Sequence, residues 1–245
     1  MNNNFDQHFL KDTETVKAMI KAGKICAEDT ILEIGPGKGV LTKEIAKNAG
    51  NVIAIEIDEN LAKYLAKMPE NVQIFYANAL NIMNGLKYNK IIASIPYSIT
   101  EPLFKKIIKL NLDLTVLLVG KDFFEHLSDK KSKWSVIGKI FFDIKKIKDV
   151  LSSAFEPAPK VDSAIVLLKK RTKELNAKEK VIREIILQDD KKTKNAIIYA
   201  LVKAGEMTKR QAKEKVQKMG LNETILERNA DRLSNEQFNA VAEKL

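Results

Sequence analysis

Thr30-Ile31-Leu32-Glu33-Ile34-Gly35-Pro36-Gly37-Lys38-Gly39 runs from a short apolar strand straight into three glycines. Leu41 to Asn48 then resumes a helical pattern. Glycine permits a tight turn and lets a ligand approach the backbone closely. The spacing G-x-G-x-G differs from the G-x-G-x-x-G of the dinucleotide fingerprint. Glu33 sits just before it, where a pyrophosphate would favour amides and no carboxylate. A cofactor that carries an ammonium group, such as S-adenosylmethionine, tolerates or uses such an acid.

Outward from this turn the pattern repeats. Val52–Ile55, Val72–Tyr76, Lys90–Ala93 and Leu114–Val119 read as further strands. Asp12–Ala22 and Leu103–Leu110 read as helices, and Asp58-Glu59-Asn60 as a helix start. Strands alternating with helices predict parallel βαβ units in a doubly wound sheet, and continuous apolar strands fit a sheet covered on both faces. Right-handed crossovers place the strand C-terminal ends on one edge, where such sheets bind ligands. The glycines, Glu56, Asn78 and Ser94 all fall there. Glu56 follows the glycine turn by about 20 residues, the position of a ribose-binding acid. Asn78 both donates and accepts and suits an adenine edge. After the fourth strand, Ser94-Ile95-Pro96-Tyr97 offers a hydroxyl, a carbonyl before proline and a flat ring. That set suits a planar, amine-bearing ligand.

Past Trp134 the pattern changes. Ile144–Leu151 predicts an edge strand rich in lysine, Phe155–Lys160 a proline-stiffened loop, and Val161–Leu168 a last strand. From about Lys173 the chain is helical and charged throughout. The expected domains are therefore 1–172 and 173–245, with the boundary near Arg171–Leu175. A net charge of +10 biases the protein toward polyanions such as RNA, although lysine is spread along the whole chain. No run reaches the length of a membrane span. Met1–Asp6 lacks a secretory pattern, and the single cysteine, Cys26, cannot form an internal disulfide. His8 and His126 are isolated, so no metal site is expected. The expected setting is cytoplasmic.

The motifs together resemble those of the small-subunit rRNA adenine dimethyltransferases, the KsgA-type family. Gln7-His8-Phe9-Leu10 resembles its N-terminal motif, whose backbone lies over the cofactor. Leu32–Gly39 is similar to its motif I, and Ile55-Glu56-Ile57-Asp58 to its ribose-binding segment. Phe155-Glu156-Pro157-Ala158-Pro159-Lys160-Val161-Asp162-Ser163-Ala164 resembles its long Phe-x-Pro-x-Pro-Lys-Val-Asp-Ser-Ala stretch, which separates this family from other methyltransferases. Leu233-Ser234 with Gln237-Phe238 resembles part of its small helical domain.

The resemblance implies a Rossmann-like S-adenosylmethionine-dependent methyltransferase fold with a C-terminal all-helical rRNA-binding domain. It implies methyl transfer to N6 of adenosines near the 3′ end of small-subunit rRNA, by a monomer acting on immature subunits. The residues it marks for the cofactor are His8, Leu10, Glu33, Gly35, Gly37, Gly39, Glu56, Ile57, Asn78, Ala79 and Ser94. Those it marks for the target base are Ser94, Ile95, Pro96 and Tyr97, with Phe155 as a second aromatic wall.

Four features depart from the family pattern, one of them the segment before Gln7, which lacks the usual basic lead-in. Ser94 stands for the family's asparagine, Asn78 for its aspartate, and Gln188-Asp189-Asp190-Lys191-Lys192 for a basic stretch. A weakly active or inactive relative that binds pre-ribosomal RNA as an assembly factor is the alternative reading. A methyltransferase for another amine acceptor is a further one, opposed by the Phe155–Ala164 stretch.

Overall fold

The computed structural model describes residues 7–188, 190–205 and 207–245. Asp189 of the variant basic stretch and the segment before Gln7 lie outside the described residues. The chain divides into two compact units. One comprises the residues up to Glu125 together with Asp143–Lys170, and the other His126–Phe142 with Arg171–Leu245.

In the first unit the elements run β1 (Phe9–Leu10), α1 (Thr13–Gly23), β2 (Thr30–Ile34), α2 (Val40–Ala46), β3 (Asn51–Glu56), α3 (Ala62–Leu65), β4 (Val72–Tyr76), α4 (Ala79–Ile82), β5 (Lys90–Ser94), α5 (Thr100–Ile107) and β6 (Leu114–Gly120). Helices α6 (Lys121–Ser128) and α7 (Lys133–Phe141) follow, then β7 (Phe142–Val150), β8 (Phe155–Glu156) and β9 (Ser163–Lys170). Seven strands form one sheet in the order β4-β3-β2-β5-β6-β9-β7. β2 pairs in parallel with both β3 and β5, β5 with β6, and β9 runs antiparallel to β6. The sheet is thus mostly parallel, and the order reverses between β2 and β5. Outside the carboxyl ends of those two strands lies the crevice where such folds bind ligands.

Ile31, Val52, Ile92, Val116 and Ile165 join one buried cluster with Val16 and Met19 of α1 and Leu41 and Ile45 of α2. Side chains alternate along a strand, so Leu32, Ile91 and Leu117 face the other way, and they are buried too. This two-sided burial explains the unbroken apolar strands in the sequence. At the amino ends, Lys90 Nζ donates to Asp29 Oδ2 (2.6 Å) and Asn89 Nδ2 to Asp29 Oδ1 (2.7 Å), while Asn89 Oδ1 accepts from Thr30 N (3.0 Å). Burial alone would push the Asp29 carboxyl up; the hydrogen bonds from Lys90, Asn89 and Cys26 outweigh it and hold the group down at about 2. This cluster pins β2 to β5 at the end away from the crevice.

The proline segment read as a loop contributes a strand. Its Phe155 and Glu156 form β8, which pairs antiparallel with β1 of the N-terminal segment. β7 lies at the sheet's edge, as its lysines foretold.

The second unit holds α7 and the helices α8 (Ala177–Leu187), α9 (Thr193–Ala204), α10 (Lys209–Lys218), α11 (Glu223–Glu227) and α12 (Asn235–Lys244). Three of them start in capping boxes: Asn176 with Glu179, Thr208 with Gln211, and Ser234 with Gln237. The core carries Ile182, Ile185, Ala196, Ile197, Leu201, Val216 and Phe238. The chain enters this unit twice. The first entry, at His126, brings α7 into the helical unit, and the second is at Arg171, so the units differ from a single division into 1–172 and 173–245. Arg171 fastens that entry, donating from its backbone to Phe141 O (3.0 Å) and from its guanidinium to Lys139 O (2.6 Å) and the Glu179 carboxylate.

Candidate active site

Gly35, Gly37 and Gly39 all have positive φ, at 68°, 59° and 78°. The turn folds back on β3, where Gly35 N donates to Ile55 O (2.9 Å). At Gly37, which faces the crevice, a Cβ would lie 3.0 Å from the Phe9 ring as well as needing the left-handed backbone. The turn therefore exposes bare backbone to the crevice.

Two carboxylates flank it. Glu56, at the end of β3 and 4% exposed, accepts from Gly37 N through Oε2 (3.1 Å) and from Asp58 N through Oε1 (2.9 Å). Burial raises its pKa, and those two backbone donors oppose the rise. Glu33 is buried at the end of β2, and its Oε2 has no hydrogen-bond partner. Burial pushes its carboxyl up to about 8; Thr42 is the polar neighbour that opposes this, and the Glu56 charge adds to it. Thr42 Oγ1 forms no hydrogen bond of ordinary geometry, so its help is slight. At neutral pH the isolated Glu33 is largely protonated, and a cation brought to it would draw its pKa back down.

Asn78 closes the third side. Its Oδ1 accepts from Leu80 N (2.9 Å) and caps α4. One lone pair of that oxygen is thus used, and the amide hydrogens remain as donors.

On the β5 side, Ser94 ends the strand and Tyr97 opens a one-turn 3-10 helix, Tyr97–Ile99. Among the described residues the Ser94 hydroxyl has no protein hydrogen-bond partner. Tyr97 Oη is 2.6 Å from Ser163 Oγ, and the His8 imidazole stacks on its ring with centroids 6.1 Å apart.

The N-terminal segment crosses above. Gln7 Nε2 donates to Asp58 Oδ2 (2.8 Å), His8 Nδ1 lies 2.8 Å from Pro157 O, and β1 pairs with β8. The Lys38 ammonium stands 4.8 Å from the centroid of Phe9. Four separate contacts therefore hold this strap over the glycine turn.

Beneath it lies a cavity of about 550 Å³. Ser94, Ile95, Pro96, Tyr97, Phe155, His8, Gly35, Gly37, Glu56, Ile57, Asn78 and Ala79 all line it. Glu33 and Leu10 line a small annexe of about 40 Å³, which shares His8, Gly35, Gly37 and Ser94 with the main cavity. Gly39 lines neither space; it precedes α2, and a side chain there would meet Met68. Phe155 is 3% exposed and belongs to the core cluster as well as to the cavity wall. Asp58, Gln7 and Ser163 hold site residues in place, and the motif spacing alone gives none of them a role. Their signal is the hydrogen bond each makes across a long sequence gap. Among the described residues no group of three or more His, Cys, Asp or Glu could hold a metal ion.

The lining suits a ligand with distinct parts: a paired acceptor for a diol, a partnerless buried carboxyl for a cation, and an amide for a planar base. S-adenosylmethionine has all three, and the space is of the size that small-molecule sites occupy. Fold and crevice define an S-adenosylmethionine-dependent methyltransferase of the Rossmann-like class.

Comparison with known proteins narrows this. The family described as ribosomal RNA adenine dimethylase matches residues 1–243, and the chain belongs to it. The chain is 36% identical over 200 residues to the ribosomal RNA small subunit methyltransferase A of Thermotoga maritima, covering 77% of this chain and 71% of the relative. It is 35% identical over 206 residues to a probable ribosomal RNA small subunit methyltransferase A of Methanococcus maripaludis, covering 78% of each. Among solved structures, a dimethyladenosine transferase from Plasmodium falciparum shares the fold, with a TM-score of 0.65 at 24% identity over 96% of both chains. The 23S rRNA methyltransferase ErmE does so with a TM-score of 0.62 at 22% identity, over 97% of this chain and 99% of that one.

Proposed function

We propose that the protein transfers methyl groups from S-adenosylmethionine to N6 of adenosines near the 3′ end of small-subunit rRNA, acting as a monomer on immature subunits in the cytoplasm. The observation that carries this reading is the convergence on one cavity of the Ser94-Ile95-Pro96-Tyr97 turn with Glu56 and Asn78. The curated relatives' names, the family match and the net charge of +10 support an rRNA substrate.

When bound, the cofactor supplies an electrophilic methyl on a sulfonium. Glu56 is the residue to hold the ribose hydroxyls, Asn78 and the Ala79 backbone the adenine edge, and Glu33 the ammonium. The target N6 is a poor nucleophile because its lone pair is delocalised into the ring. The Ser94 hydroxyl and the Ile95 carbonyl accept its hydrogens and turn the lone pair toward the methyl. This is positioning rather than base catalysis. Tyr97 stacks on the base taken out of its strand, and Phe155 closes the other side. No proton has to leave before transfer, since the methylated nitrogen loses its proton to solvent afterwards.

The test is transfer of labelled methyl to under-methylated small subunits, with mass mapping of the nucleotides. Label on N6 of adenosines, abolished by Tyr97→Ala, is the expected result. Tight subunit binding without label would overturn it in favour of an assembly factor.

A further inference from the structure

We propose that Ser163 is a positioning residue for methyl transfer, fixing the plane of the Tyr97 ring that receives the target base. This rests on the reading of Tyr97 given under the proposed function.

Ser163 is the first residue of β9 and is fully buried. Its hydroxyl lies 2.6 Å from Tyr97 Oη. In the antiparallel register Ser163 stands opposite Gly120, the last residue of β6. A Cβ built on Gly120 would lie 3.4, 3.4 and 3.7 Å from Cδ1, Cγ and Cδ2 of Tyr97. Three ring atoms at nearly one distance mean that Gly120 sits under the face of the ring, not at its edge. One strand pair thus runs its backbone beneath the ring face and anchors the ring's hydroxyl.

A tyrosine side chain has two soft torsions. The anchor at the hydroxyl, with the strand backbone beneath and the His8 imidazole stacked on the ring, restricts both, so the ring keeps a single plane without the base present. The hydroxyl pair suits this task because either oxygen can donate. The pair also links the Phe155–Ala164 stretch to the Ser94–Tyr97 turn, two segments 66 residues apart at the bond. Ser163 does not line the cavity, so it acts only through Tyr97.

The experiment is a double-mutant cycle with Ser163→Ala, Tyr97→Phe and the double variant. It measures kcat and KM for under-methylated subunits at saturating S-adenosylmethionine, alongside cofactor Kd. Each single variant is expected to lower kcat about 2- to 12-fold, the net worth of one hydrogen bond, with cofactor Kd unchanged. The double variant is expected to be no slower than Tyr97→Phe alone. Losses that multiply in the double variant would overturn the proposal, as would an unchanged kcat in Ser163→Ala. If Ser163→Ala does not fold, Tyr97→Phe decides: it keeps the ring and loses the bond, and an unchanged kcat rules the role out. Full activity in Tyr97→Ala would instead overturn the reading of the site itself.

Discussion

Ser94 carries the largest chemical departure in the site, and Asn78, for the family's aspartate, a smaller one. Its hydroxyl reaches less far than an asparagine amide and holds no fixed plane. With no protein partner among the described residues, it is free to turn toward an incoming amine. Ser94→Asn is therefore expected to keep or raise the rate of methyl transfer; a large loss would mean the pocket is shaped for another acceptor. Glu33 makes a prediction about stability. The folded protein keeps its proton up to about pH 8, whereas the unfolded chain releases it near 4.5. Between those values the native state binds more protons, so stability falls as pH rises through that window. Glu33→Gln should therefore gain on the wild type across pH 4.5 to 8, by up to about 1.4 kcal/mol per pH unit, and the gain should level off above. Denaturant melts of the cofactor-free proteins at several pH values measure this, and a gain independent of pH would contradict it.

The strap from Gln7 to Leu10 turns separate strand ends into an enclosed cavity. Gln7→Ala removes its bond to Asp58 and is expected to weaken cofactor binding about 2- to 10-fold at an unchanged Tm. Calorimetric titration checks it, and equal affinity would show that the strap does not cover the cofactor. β2 to β6 were legible in the sequence because each is a short, largely apolar run bounded by turn or helix signals, and the glycine turn because its three left-handed positions favour glycine. β1 and β8 were not, because two residues carry no periodicity and their pairing joins distant segments. The affiliation of α7 was hidden for a related reason. Trp134, Ile137 and Ile140 form an apolar stripe that reads alike whichever core receives it. Ser163 was visible only as a letter in a motif; its partner, Tyr97, is a fact of three-dimensional register.

At the scale of the whole molecule, one unit holds the candidate cavity and the other is a helical unit rich in cations. In the helical unit, Lys191 lies 4.7 Å from the Tyr199 centroid and Lys192 bonds Glu227 at 2.6 Å. Replacing Lys191, Lys192 and Lys194 with alanine is expected to weaken binding to small subunits and to reduce its salt dependence, leaving cofactor affinity alone. Filter binding across a salt series measures both, and an unchanged slope would remove this helix start from the RNA contact. In the first unit, His8 meets Pro157 across 149 residues of sequence. A growing polypeptide carries the glycine turn and Glu56 long before it carries Pro157. During translation the strap's contacts with Asp58 and Lys38 can form early, but its pairing with β8 and the contact of His8 with Pro157 must wait until that point of the 245-residue chain has been made and folded back. Affinity for the methyl donor should therefore arrive late, as a step in the life of the nascent chain rather than a gradual gain.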